Sequence, residues 1–156
     1  MKSRGIRNCN PLNIRIGNDW VGERPENTDG VFEQFTDMRF GIRAAFIILR
    51  NYITKYRIKT IQGIIQRWAP EVENDLKAYV TFVTRRIEKE PHDTIEWGNS
   101  HDMAMLVQAM CIFESNYRPE LTFLEQIHRE TMNTRRVQQK KASPPTPPLK
   151  GRGGKE

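Results

Sequence analysis

The feature that most constrains this chain is a helical run that is apolar almost all round, through Ala104-Met105-Leu106-Val107. A helix of that kind is stable only where neighbours bury it all round. The rest of the chain must therefore wrap about the segment from Asp102 to about Glu114. The available partners are also helical, because from Gly41 onward apolar residues recur at the 3.6-residue period. Ile42, Ala45, Phe46, Leu49, Ile53 and Tyr56 line one face over roughly residues 41–56. Thr60 predicts the cap of a second helix, with Ile61, Ile64, Ile65 and Trp68 as its stripe and Pro70 as its stop. Asn74 or Asp75 starts a third, carrying Leu76, Tyr79, Val80, Val83 and Ile87. Ser100 caps the apolar helix, and Pro119 precedes a short fifth with Leu121, Leu124 and Ile127 facing inward.

Before Gly41 the chain is punctuated by Asn and Gly, which favour turns. Two short runs, Leu12–Ile16 and Val31–Phe35, predict a small antiparallel hairpin. The expected fold is mainly α (α+β): about five helices with a small N-terminal β-hairpin, in one domain over residues 1–134. No run approaches the length of a membrane span. The first residues have no apolar core of a secretory signal, so the expectation is a protein without a signal peptide, cytoplasmic in the cell that makes it.

The formal net charge of +6 would suggest nucleic acid until it is located. Residues 1–134 hold 18 Lys/Arg and 18 Asp/Glu, whereas residues 135–156 hold seven cations against Glu156 alone. The body is neutral, which argues against a phosphate-binding face. The tail is rich in Pro and Gly with little to bury, so it is expected to be disordered. Cys9 and Cys111 are too few and too far apart for a disulfide framework. His92, His101 and His128 have no ligand spacing, so no metal site and no cofactor is expected.

The residues with the most specific spacing lie mainly in the first half. They are Arg4-Gly5-Ile6-Arg7-Asn8-Cys9-Asn10-Pro11-Leu12-Asn13-Ile14-Arg15, then Trp20 and Gly22, Phe32 and Phe35, and Gly41-Ile42-Arg43-Ala44. Arg67-Trp68-Ala69-Pro70, Glu73-Asn74 and Tyr79 follow. One by one, such residues serve turns and cores more readily than sites. Together they resemble a family of short proteins encoded by tailed and membrane-containing phages and by prophages, usually labelled virion structural protein. Related segments occur in lysozyme-like phage lysins. The resemblance spans about residues 4–114. It departs at Cys9, where the family pattern has Asn, and the proline-rich tail lies outside it.

The resemblance implies a lysozyme-like scaffold, a virion-associated location, peptidoglycan or another glycan as partner, and contacts with other virion proteins. A groove lined by Asn10, Asn13, Arg15, Trp20, Arg43, Trp68 and Asn74 would bind the sugar. Active cleavage of peptidoglycan, as a muramidase or lytic transglycosylase, is the alternative to a structural role, and it needs a carboxylic acid held neutral near pH 7. Three residues are alternative candidates. Glu114 ends the apolar helix and opens Glu114-Ser115-Asn116-Tyr117-Arg118-Pro119, which looks like the start of a soluble lytic transglycosylase motif without the Gly-Leu-Met-Gln that should follow. Glu33 lies between Phe32 and Phe35, and Asp37 precedes Gly41. Each of these last two reads more readily as a solvated surface charge.

Overall fold

Ser3 starts the fold. Its hydroxyl accepts from the Ile6 N–H at 3.3 Å and caps α1 (Arg4–Arg7), a single turn that the Asn- and Gly-rich composition does not advertise. The computed structural model describes residues 2–70 and 73–134, and the side chains of all these except 73 and 74. The basic tail expectation therefore lies outside the described residues.

The helical part begins at Met38 rather than Gly41. The Asp37 carboxylate accepts from the Arg39 N–H at 3.0 Å and caps α2 (Met38–Arg50), satisfying a donor that every helix start leaves open. A π-helical turn (Asn51–Lys55) extends α2 to Tyr56. Thr60 caps α3 (Ile61–Trp68) by accepting from the Gly63 N–H at 3.0 Å. α4 (Glu73–Ile87) follows. Asn99, not Ser100, caps α5 (Ser100–Ser115), and α6 (Leu121–Met132) closes the described chain.

α5 lies between α4 and α6, while α2 packs on α6 and α3 on α4. Met103, Ala104, Leu106, Val107, Ala109, Met110 and Cys111 of α5 are all buried, as an all-round apolar helix demands. Leu12, Ile14, Trp20 and Phe35 from the N-terminal loops join the helical side chains in the same cluster. Among the described helices none is long and apolar enough to cross a membrane.

The expected β-hairpin is absent among the described residues, which hold six α-helices and no strand, so the lysozyme-like α+β expectation is corrected to a mainly α fold. The two runs do meet antiparallel, at the isolated bridge Arg15–Phe32 and through Ile16 N–H to Val31 O (3.0 Å) and Glu33 N–H to Ile14 O (2.9 Å). The ladder goes no further because other groups take its bonds. The Asn10 side-chain amide donates to Ile14 O and to Glu33 O, both at 3.0 Å, and its oxygen accepts from the Ile14 N–H at 3.0 Å. The Phe35 N–H turns to Asn8 O at 2.9 Å, and Asn13 at φ +54° bends the first run out of extended geometry. Side-chain amides have replaced cross-strand pairing.

Candidate functional site at the end of the central helix

The N-terminal segment closes over the C-terminal end of α5. The Ser3 hydroxyl donates to Ser115 O at 2.8 Å, and the Ser115 hydroxyl donates to Pro11 O at 2.7 Å. Gly5 lies against that same hydroxyl, where any Cβ would collide with it. The Asn13 amide donates to Glu114 Oε1 at 3.1 Å, and the Tyr79 hydroxyl reaches across from α4 to Glu114 Oε2 at 2.7 Å. Asn116, left-handed at φ +54°, ends the helix as Asn and Gly do at such positions. The half-buried Glu114 carboxylate thus ties the loop segment, α4 and α5 together.

A second knot holds the loop beyond it. Arg4 grips Asp29 with two bonds of 2.8 and 2.7 Å. Asp29 also accepts from the Asn8 amide at 3.0 Å and from the Val31 and Phe32 N–H groups. The Arg4 guanidinium, aided by these donors, holds the Asp29 carboxyl well below the usual carboxylate range. The Asn8 oxygen accepts from Gln34 Nε2 at 3.0 Å. Arg4 and Arg15 lie over the Phe32 ring, 4.6 and 5.6 Å from its centroid. Sequence reading missed Asp29, because it is the fold that makes this residue a hub.

The candidates fall into separate places. Asn10, Trp20 and Trp68 are buried, at 0%, 2% and 0% exposure, and serve the core. Trp68 packs edge-on against Tyr52, 6.1 Å between centroids. Asn13, Arg15 and Arg43 are half-buried, and burial beside Arg50 pulls Arg43 down. The Asn74 side chain lies outside the described residues. Asp37 is an exposed helix cap. Only Asn13 and Glu114 of the candidates touch through their side chains in the bonds above, while Asn10 holds the backbone of Glu33. Among the described residues no group of His, Cys, Asp and Glu could hold a metal ion.

Glu33 is the chemically unusual carboxyl. It is 4% exposed and its Oε2 has no hydrogen-bond partner. Burial, with the Glu23 carboxylate beside it, pushes its pKa up to about 8 from an ordinary 4.5. Glu23 is itself held by the Trp20 N–H at 2.8 Å. Between those two pH values the folded chain keeps a proton that the unfolded chain releases, so this group lowers stability as pH rises through the window. His128 acts in the opposite sense. Its ring nitrogens are engaged by Ser100 Oγ at 2.7 Å and Trp97 O at 2.8 Å, and burial holds the imidazole below its ordinary 6.5. Its stabilising effect is lost as pH falls through and below that value. Glu33→Gln removes only the first slope. Thermal melts should show the variant gaining roughly 5 °C or more over the native chain at pH 8, and almost nothing near pH 4.5. Parallel curves at all pH values would mean that Glu33 is ionised in the folded chain.

Cys9 also has a physical account. It sits at φ +54°, a left-handed position that an L residue other than Gly, Asn or Asp adopts at a penalty of about 1 kcal/mol. The Asn of the resembling pattern suits this backbone better than a thiol. Cys9→Asn should raise the melting temperature by roughly 1–3 °C, and an unchanged or lower value would refute the conformational explanation.

Among the described residues the body is helical, without a strand, and is closed at one end by the amide-rich N-terminal knot. The chain belongs to a family of phage proteins. It is 40% identical over 121 residues to Protein P5 of Pseudoalteromonas phage PM2, a match covering 75% of this chain and 74% of that protein. No family model matches the chain.

Proposed function

We propose that this chain is a virion-associated structural protein of a phage or prophage, without hydrolytic activity. What supports the reading is the fate of the N-terminal motif, whose polar side chains are spent on the chain itself. Asn8, Asn10 and Asn13 bind Asp29, the Ile14 and Glu33 backbone, and Glu114. Trp20 and Trp68, the rings expected to stack on sugar, are buried, so the proposal includes no peptidoglycan groove built from them. The test is composition of particles. Phage particles from a host expressing the gene, banded on a density gradient and washed in high salt, should retain this chain by mass spectrometry. Its absence from the banded particles overturns the reading.

One observation favours a second reading, a peptidoglycan-cleaving enzyme. Glu33 is buried, with its pKa pushed up to about 8 beside Glu23, and a carboxylic acid neutral at pH 7 is what glycoside cleavage requires of its proton donor. A turbidity assay on purified peptidoglycan separates the two. The structural reading expects no clearing. Clearing by the native chain that is lost in Glu33→Gln or Glu114→Gln would replace it with the enzymatic one.

A further inference from the structure

The outer face of α4 carries a feature that neither knot uses. A shallow groove of about 780 Å³ runs along it, floored by Phe82 and Phe113 and edged by Lys77, Arg85 and Arg86. The floor is aromatic, with Phe113 stacked on Tyr79 and tilted against Phe82. Phe113 lies 4.3 Å from Tyr79, ring to ring, and 5.6 Å from Phe82, and it remains 38% exposed. Lys77, Thr81 and Arg85 fall four residues apart, so their side chains share one helix face, and the outer two cations stand about 12 Å apart along the axis.

Lys77, Arg85 and Arg86 form no ion pair among the described residues, and Arg86 Nε is buried with no hydrogen-bond partner. No Asp or Glu lines the groove among the described residues. Ion pairs join Arg4 with Asp29, Arg39 with Glu130 and Lys89 with Asp102, none of them in the groove. Among the described residues that line the groove, three cations and no anion surround one exposed and one half-buried ring, a local surplus of one sign on an apolar floor. A floor of that kind favours an apolar side chain, and a cationic edge favours carboxylates.

We propose that this face docks an acidic segment of a partner protein, with one apolar anchor residue seated on Phe82 and Phe113 and carboxylates bound by Lys77, Arg85 and Arg86. The chain's own residues 135–156 have the wrong sign to fill it, with seven cations against one anion. A nucleic acid would need a longer basic track than one helix face in a neutral body supplies. A flat anionic bilayer would meet the cations at the edge but not rings set on a groove floor.

The test uses the full chain and a fluorescein-labelled peptide, Glu-Asp-Glu-Phe-Glu-Asp-Leu, followed by anisotropy. Saturable binding is expected, weakened at least tenfold by the double substitution Lys77→Glu, Arg85→Glu, and weakened comparably when the peptide's Phe is replaced by Ser. Both substituted residues are exposed, and an unchanged thermal melt establishes that the variant is folded. Absence of saturable binding to the native chain overturns the proposal, as does binding indifferent to the double substitution. Two further arms use phosphatidylglycerol vesicles and a labelled oligothymidylate. If either binds more tightly than the peptide and loses that binding in the same variant, the face belongs to a membrane or to nucleic acid and the proposal is wrong.

Discussion

Asn10→Ala should lower the stability of this chain by about 3–5 kcal/mol, a fall in melting temperature of roughly 10 °C. The size follows from what the amide satisfies. Asn10 is fully buried, and its three bonds of 3.0 Å go to the Ile14 N–H, Ile14 O and Glu33 O. Ile14 O keeps a second partner in the Glu33 N–H. The Ile14 N–H and Glu33 O lose their side-chain partner, and a buried polar group left unpaired costs about 1–3 kcal/mol. The space vacated by the amide adds a cavity term. Asn13→Ala is the contrast. Asn13 is half-buried and its side chain donates one bond, to Glu114, so its loss should be about 1 kcal/mol. Urea melts with an unchanged slope would measure both. A loss below about 1 kcal/mol for Asn10→Ala would show that the amide does not hold the loops together.

The same amide explains why the sequence yielded the helices and not the loops. Helix identity is written locally, in the stripe Ile61, Ile64, Ile65 and Trp68 and in the Thr60 cap, and these appear where expected. The all-round apolar run did become the central helix. The hairpin expectation used equally local signals, the two short extended runs Leu12–Ile16 and Val31–Phe35, but pairing is not a local property. It was pre-empted by Asn10, whose side chain occupies the bonds a ladder needs. An Asn in a turn-rich segment reads as a surface residue, and nothing in its neighbours marks it as buried. α1 was invisible for a related reason, since a single turn survives only because Ser3 and Ser115 close on it. At the site, the apolar run made Glu114 conspicuous as the end of its helix. That its oxygens are taken by Asn13 and Tyr79, far away in sequence, could come only from coordinates.

Gly41→Ala is expected to destabilise by about 2–4 kcal/mol although it adds a better helix former. In an open helix, Ala is favoured over Gly by about 1 kcal/mol. Gly41 is not in an open helix. It lies on the face of α2 that meets the turn after α1, and a Cβ built there falls on the Cys9 carbonyl oxygen and comes within 3.2 Å of the Asn10 Cα. Both obstacles are backbone, so no side-chain rotation relieves them. The turn itself is held by Asn10 and by the left-handed Cys9, so either α2 or the knot must move. Moving the knot disturbs the Asn10 bonds, so Gly41→Ala and Asn10→Ala strain the same contact. Their double variant should therefore lose clearly less than the sum of the two single losses. Strict additivity, or a rise in melting temperature for Gly41→Ala alone, would mean that helix and turn do not touch as described. The glycine at the head of Gly41-Ile42-Arg43-Ala44 then acquires a physical meaning: it is where the first long helix admits the backbone of the amide-rich turn.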